Sequence, residues 1–169
     1  MRLYNAKVPA IAEEIVKTLS DHGAIETDSL QEVRQDVEAV LSQYVRDEQD
    51  VSEKAKDLVA SRHLSQSELG RMRRLVAEQR KIKLGDEAVD YLLDQIIEML
   101  MHSANVDEIF AEDFELRRLM REPLRRQEIE EQKLQAEVRE QLKHVQEGSS
   151  LWEVEYRRMM EDTKRRKGL

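Results

Sequence analysis

The chain has no cysteine among its 169 residues, which excludes disulfides, thiolate metal sites and cysteine nucleophiles. Proline occurs twice and glycine five times, too little punctuation for a protein of many short strands and tight hairpins. Aromatic residues make up 4% of the chain and charged residues 38%. That mixture favours helices, with few or no strands. The glycines are isolated, so no phosphate-cradling loop can be read from them. The longest mainly apolar stretches, such as Ile96 to Met101, are far too short to cross a bilayer. Arg2, Lys7, Glu13, Glu14 and Lys17 interrupt the first eighteen residues, so no uncharged core of a secretory signal is present there. A cytoplasmic protein without membrane attachment is expected.

What is abundant is charge, and it is unevenly placed. The net charge of −8 argues against a protein that coats nucleic acid, because phosphate binding needs a cationic face. Residues 61–85 nevertheless carry 7 basic and 2 acidic groups, whereas residues 86–116 carry 10 acidic groups and no basic one. One basic helix-sized piece lies between acidic ones.

Apolar residues recur at helical spacing through most of the chain. Val8, Ile11, Ala12, Ile15, Val16 and Leu19 predict a first helix, capped by Asn5, with Pro9 tolerated in its first turn and Gly23 ending it. Ser29 with Glu32 reads as a capping box ahead of Val33, Val37, Val40, Leu41, Tyr44 and Val45. Asp50 with Glu53 repeats the signal before a short third helix, and Ser65 with Glu68 opens another that ends near Ile82. Asp86 is expected to cap the most hydrophobic helix, built on Val89, Leu92, Leu93, Ile96, Ile97, Leu100 and Met101. Asn105 with Glu108 then predicts a helix through Leu119, with a boundary near Pro123. Val51-Ser52-Glu53 and Val106-Asp107-Glu108, 55 positions apart, suggest two similar three-helix units.

The expected architecture is therefore an all-α multi-helix bundle over residues 1–122, followed by an extended helical appendage over 123–169. The appendage holds a long charged helix, ended by Gly148, and a short amphipathic one opened by Ser150 and Glu153. On that last helix Trp152, Tyr156, Met159 and Met160 share a face fit either to dock on the body or to grip a partner.

Three constellations compete as functional sites. Arg71, Arg73, Arg74, Arg80, Lys81 and Lys83 form a basic helix and loop able to follow phosphates, but they include no aromatic to stack bases. Pairing with the acidic segment beside them explains them more cheaply. Asp94, Glu98 and His102 step by four along one helix face and offer metal ligands; the alternative is a solvated face with His102 at the helix C-terminus. His22, His63, His102 and His144 are scattered, and none joins a serine or carboxylate in a nucleophile-activating pattern.

The runs Met1-Arg2-Leu3-Tyr4, Lys7-Val8-Pro9, Ile11-Ala12-Glu13-Glu14-Ile15-Val16, Ile96-Ile97-Glu98-Met99 and His102 to Phe110 carry a resemblance. Over about residues 1–122 the chain resembles the bacterial family catalogued as domain of unknown function five hundred and seven. The resemblance implies a helical bacterial protein and brings no reaction, cofactor or catalytic residue. After Arg126 the chain departs from that pattern. The expectation is a non-enzymatic structural or adaptor protein without a cofactor or metal. It binds a protein partner, or a second copy of itself, through Trp152, Tyr156, Met159 and Met160. The rival is a nucleic-acid or ribosome-associated factor working through Arg71 to Lys83.

Overall fold

In the computed structural model, which describes residues 2–169, the stripe from Val8 to Leu19 forms the buried face of α1, Val8–Asp21. Pro9 sits in its first turn, where no donor is required. Asn5 lies in a preceding 3₁₀ turn and makes no capping bond. At the other end Gly23 adopts φ +62°, and two hydrogen bonds close the turn: Gly23 N to Ser20 O and Ala24 N to Leu19 O, both 2.9 Å. This is the Schellman arrangement, which needs a left-handed residue at that place.

Five further α-helices follow among the described residues: α2 Leu30–Ser61, α3 Leu69–Gln79, α4 Ala88–His102, α5 Asp113–Gln141 and α6 Ser150–Arg166. Two short strands, β1 Ile25–Glu26 and β2 Glu108–Ile109, pair antiparallel. The fold is all-α in substance. No helix among the described residues is long and apolar enough to cross a membrane.

Several expected boundaries are corrected. Ser29 does cap α2, its hydroxyl accepting from Glu32 N, but Asp50 and Glu53 start nothing, because α2 continues through them to Ser61. No glycine or proline interrupts the stripe Val45, Val51, Ala55 and Val59, so burial carries the helix past the local start signal. Asp86 lies in a 3₁₀ turn and makes no side-chain cap. The segment after Asn105 is extended, not helical: β2 pairs with β1, and α5 starts only at Asp113. Asn105 serves that loop by donating from Nδ2 to Asp36, 2.9 Å away.

Pro123 is the largest surprise. It lies inside α5, buried, with Leu116, Leu119, Met120 and Leu124 on the same covered face. A proline here forgoes one helical hydrogen bond, at a cost of about 3 kcal/mol in an ordinary helix interior. Packing of that face on α1 and α4 outweighs the loss.

The bundle is an internal repeat, with a step longer than the expected 55 residues. Val8, Ile11, Ala12, Ile15, Val16 and Leu19 of α1 match Val89, Leu92, Leu93, Ile96, Ile97 and Leu100 of α4, each 81 positions on, and all twelve are buried. Val33, Val37, Leu41, Glu48, Val51, Ala55 and Val59 of α2 match Leu116, Met120, Leu124, Glu131, Leu134, Val138 and Leu142, each 83 positions on. Those are buried too.

The strand pairs Ile25 with Ile109 and Glu26 with Glu108 exchange under the same step, since 25 maps to 108 and 26 to 109. A ladder that maps onto itself when the halves swap is what a two-fold axis produces. Accordingly α1 packs on α5 as α4 packs on α2. Even the helix ends correspond: the backbone N–H of His22 donates to Thr18 O and that of Ser103, 81 positions on, to Met99 O. Truncating Ile15 or its counterpart Ile96 to alanine should cost about 2–5 kcal/mol.

The core cluster unites α1, α4, α2 as far as Val51, α5 as far as Leu124 and the end of α3 at Val76 and Ala77. Beyond it each long helix continues as one side of an arm. In the first arm Ala55, Val59 and Met72 join α2 to α3, and in the second Leu134, Val138, Leu142 and Met160 join α5 to α6. At 32 residues, α2 reaches about 48 Å. The arms therefore extend past the core they share.

Candidate partner-binding cleft between the two arms

Ser149 opens α6, its hydroxyl accepting from Trp152 N at 3.1 Å; the cap lies one residue before the expected Ser150. The face Trp152, Tyr156, Met159 and Met160 then packs on Leu134, Val138 and Leu142 of α5, with Tyr4 and Leu169 beside it. Met160 is buried, whereas Trp152, Tyr156 and Met159 stay partly open. The Trp152 and Tyr156 rings stack with centroids 4.7 Å apart. Docking on the chain's own long helix thus uses most of this face.

The part left open is one wall of a cleft of about 500 Å³ between the arms. Trp152, Tyr156 and Met160 line it from α6, Ser52 and Lys56 from α2, and Leu69 and Arg73 from α3. Of the basic set read from the sequence, Arg73 therefore faces the aromatic set across this opening, whereas Arg71, Arg74, Arg80, Lys81 and Lys83 do not line it. Met159 packs in the arm and does not line the cleft.

The floor is charged. Glu48 and Glu131, the matched pair of the two long helices, are only 9% and 6% exposed. Arg2, Arg73 and both glutamates line an adjoining hollow of about 480 Å³. Burial pushes the Glu48 carboxyl above the ordinary glutamate range; Arg2 and Arg73 draw it partly back, and Glu131 raises it further. Arg73 Nη2 lies 3.7 Å from Glu48, while its Nε is buried and makes no hydrogen bond. An unmet buried donor costs about 1–3 kcal/mol. The Tyr4 hydroxyl donates to Glu131, and burial followed by that bond raises the phenol well above its usual value. Lys164 holds its ammonium 5.3 Å from the Tyr4 ring centroid, and burial lowers its pKa. The cleft offers cations beside an aromatic wall.

The other sequence candidates fare differently. Arg71 pairs with Glu68, Arg73 with Glu48, Arg80 with Asp50 and Lys83 with Glu87. Only Glu87 belongs to the 86–116 acidic segment, so the expected pairing of the two blocks is largely not how the charges are met. Asp90 and Asp94 instead bind Arg121 and Arg117 of α5, both at 2.7 Å. Among the described residues, Arg74 and Lys81 have no carboxylate at ion-pair distance. With Asp94 on Arg117 and the His102 ring on a backbone carbonyl, the metal ladder is dispersed. No group of three or more His, Asp or Glu among the described residues is placed to hold a metal ion.

Arg2, Leu69, Glu48 and Glu131 were missed in the sequence. For the two glutamates a signal existed: each interrupts an otherwise apolar stripe, between Val45 and Val51 and between Leu124 and Leu134.

No curated protein matches the chain. One family model does, that of the proteins of unknown function DUF507, and it matches residues 1–169. The match runs past residue 122 and past Arg126, so the arm formed by α5 and α6 lies within the family pattern, not beyond it. From end to end, the chain belongs to the DUF507 family.

Proposed function

We propose that this protein is a non-enzymatic helical adaptor that holds a segment of a partner protein in the cleft between its arms. The observation that carries the reading is the meeting of Trp152, Tyr156 and Met160 with Leu69 and Arg73 across about 500 Å³. Aromatic anchors beside an arginine are the common currency of protein recognition. The part-exposed Arg73 guanidinium on the cleft wall gives an incoming carbonyl or carboxylate a charged donor. A bacterial cytoplasm is the setting this reading expects.

The competing reading, RNA or DNA along Arg71 to Lys83, has less support, because four of its six cations are already paired with carboxylates. Phosphate contacts weaken steeply with salt and an apolar cleft does not. The test is a pull-down with the full chain against Trp152→Ala and Leu69→Ala variants, at low and raised salt. The cleft reading requires one partner band that both variants lose and that salt spares. A band insensitive to both substitutions would defeat it.

A further inference from the structure

The two phenylalanines of the chain are both on its surface. Phe110 is 57% exposed and Phe114 69%, and Met101, at the end of α4, is 66% exposed. The ion pairs Asp94 with Arg117 and Asp90 with Arg121 fix α4 and α5 as antiparallel neighbours. That register brings the last turn of α4, with Met101, beside the start of α5, with Phe114. Phe110 leads into the same corner, its backbone N–H bonded to Ala24 O.

The repeat supplies an internal control. By the steps of 81 and 83, the counterparts of Met101, Phe110 and Phe114 are Ser20, Thr27 and Gln31. Ser20 and Gln31 line one shallow groove between α1 and α2, which shows that these two positions adjoin in this fold. At these three positions the first half is polar, and the hydrophobe exposed in its groove is Leu30, at 46%, whose own counterpart is Asp113, so the fold does not demand apolar residues at the matched places. Something other than stability accounts for three large exposed hydrophobes here.

The charges around them are mainly of one sign, Arg118, four positions after Phe114, being paired with Glu115 at 3.9 Å. Residues 86–116 contain no lysine or arginine. Arg117 and Arg121 reach back only to Asp90, Asp94 and Asp113. Among the described residues, Glu98, Asp107, Glu108 and Glu112 have no cation at ion-pair distance, and all four are exposed. We propose that the corner formed by Met101, Phe110 and Phe114, rimmed by these carboxylates, docks a basic amphipathic helix of a partner protein. Apolar side chains of that helix would cover the three hydrophobes while its lysines and arginines meet the rim. The acidic rim repels an anionic lipid surface and nucleic acid alike. Glu131 stands 17 residues beyond Phe114 on α5, roughly 25 Å along the axis, so this surface is separate from the cleft.

The test uses the full chain and a synthetic leucine–lysine peptide patterned as an amphipathic helix, with its leucine–glutamate counterpart as control. The proposal expects the lysine peptide to bind, more weakly in raised salt, and the glutamate peptide not to bind. Affinity should fall at least about tenfold in M101S/F110T/F114Q, which transplants residues that the first half already carries. It should fall similarly in E98K/E112K, both at exposed positions, and persist in W152A. Equal binding of both peptides, no binding of the lysine peptide, or undiminished affinity in E98K/E112K would overturn the proposal. Loss of binding in W152A would overturn it too by placing the peptide in the cleft, as would self-association of the wild-type chain that the triple variant abolishes.

Discussion

Glu48 of α2 and Glu131 of α5, 83 positions apart, occupy matching buried places on the two long helices and line one hollow. Each is a charge set on an apolar stripe, and each has its own partner: Arg73 for Glu48 and Tyr4 for Glu131. The repeat thus places two buried carboxyl side chains where the arms leave the core, beside the cleft.

The raised pKa of Glu48 has a defined consequence for stability. The folded state holds this proton more tightly than the unfolded chain does, so the group's contribution is fullest at low pH. It is lost as pH rises through the ordinary glutamate range towards the raised value. Glu48→Gln should therefore be at least as stable as wild type near neutral pH, and its stability should fall less between about pH 4 and 7. Denaturant titrations at several pH values check this. A variant that loses ground steadily as pH rises would show that the Arg73 pair dominates instead.

Pro123 has Val40 as its counterpart on α2, one step of 83 earlier. Pro123→Val restores a backbone donor and keeps a branched apolar side chain. It should stabilise the chain by about 1–2 kcal/mol, part of the proline cost being offset by imperfect repacking. The midpoint of thermal unfolding reads it. A destabilised variant would mean that α5 must bend at this residue.

His63 and Lys81 end α2 and α3 with φ of 52° and 57°, as Gly23 ends α1. Both are exposed and close the same pair of backbone bonds: Leu64 N to Val59 O and His63 N to Ala60 O, then Ile82 N to Ala77 O and Lys81 N to Glu78 O. A side chain in this conformation is strained by about 1 kcal/mol, so His63→Gly and Lys81→Gly should each stabilise the fold by about 0.5–1 kcal/mol. Chemical denaturation of the two variants and of their combination tests size and additivity.

The second arm rests on a small cluster, and Met160 is the buried residue that α6 gives it. Met160→Ala should cost about 2–3 kcal/mol. Amide exchange should quicken across Ser150–Arg166 while α1 and α4 keep their protection. Uniformly faster exchange would instead show the arm and the core opening as one unit.

The helices were legible in the sequence wherever an apolar stripe met a break: Gly23 after α1, Ser29 before α2, Ser65 before α3. Local start signals misled where a stripe continued beneath them, as at Asp50, and where backbone pairing across the repeat claimed the chain, as at Glu108 with Glu26. Pro123 reads as a stop only if its helix is imagined alone. The step of the repeat was hidden because the halves share burial and not residue identity; Ala12 faces the role of Leu93, and Val37 that of Met120. The aromatic face of α6 was visible as periodicity. That it shares a cleft with Arg73 depends on how two arms leave a common core, which no local pattern encodes.

On the reading proposed above, a partner segment lies between the arms. A photo-crosslinking amino acid placed at Trp152, inside the cleft, and in a second protein at Arg118, exposed on the outer side of α5, tests it most directly. A segment held in the cleft gives one discrete adduct from position 152, absent from position 118 and lost when Leu69 is also changed to alanine. No adduct from 152, or the same adducts from both positions, would contradict it.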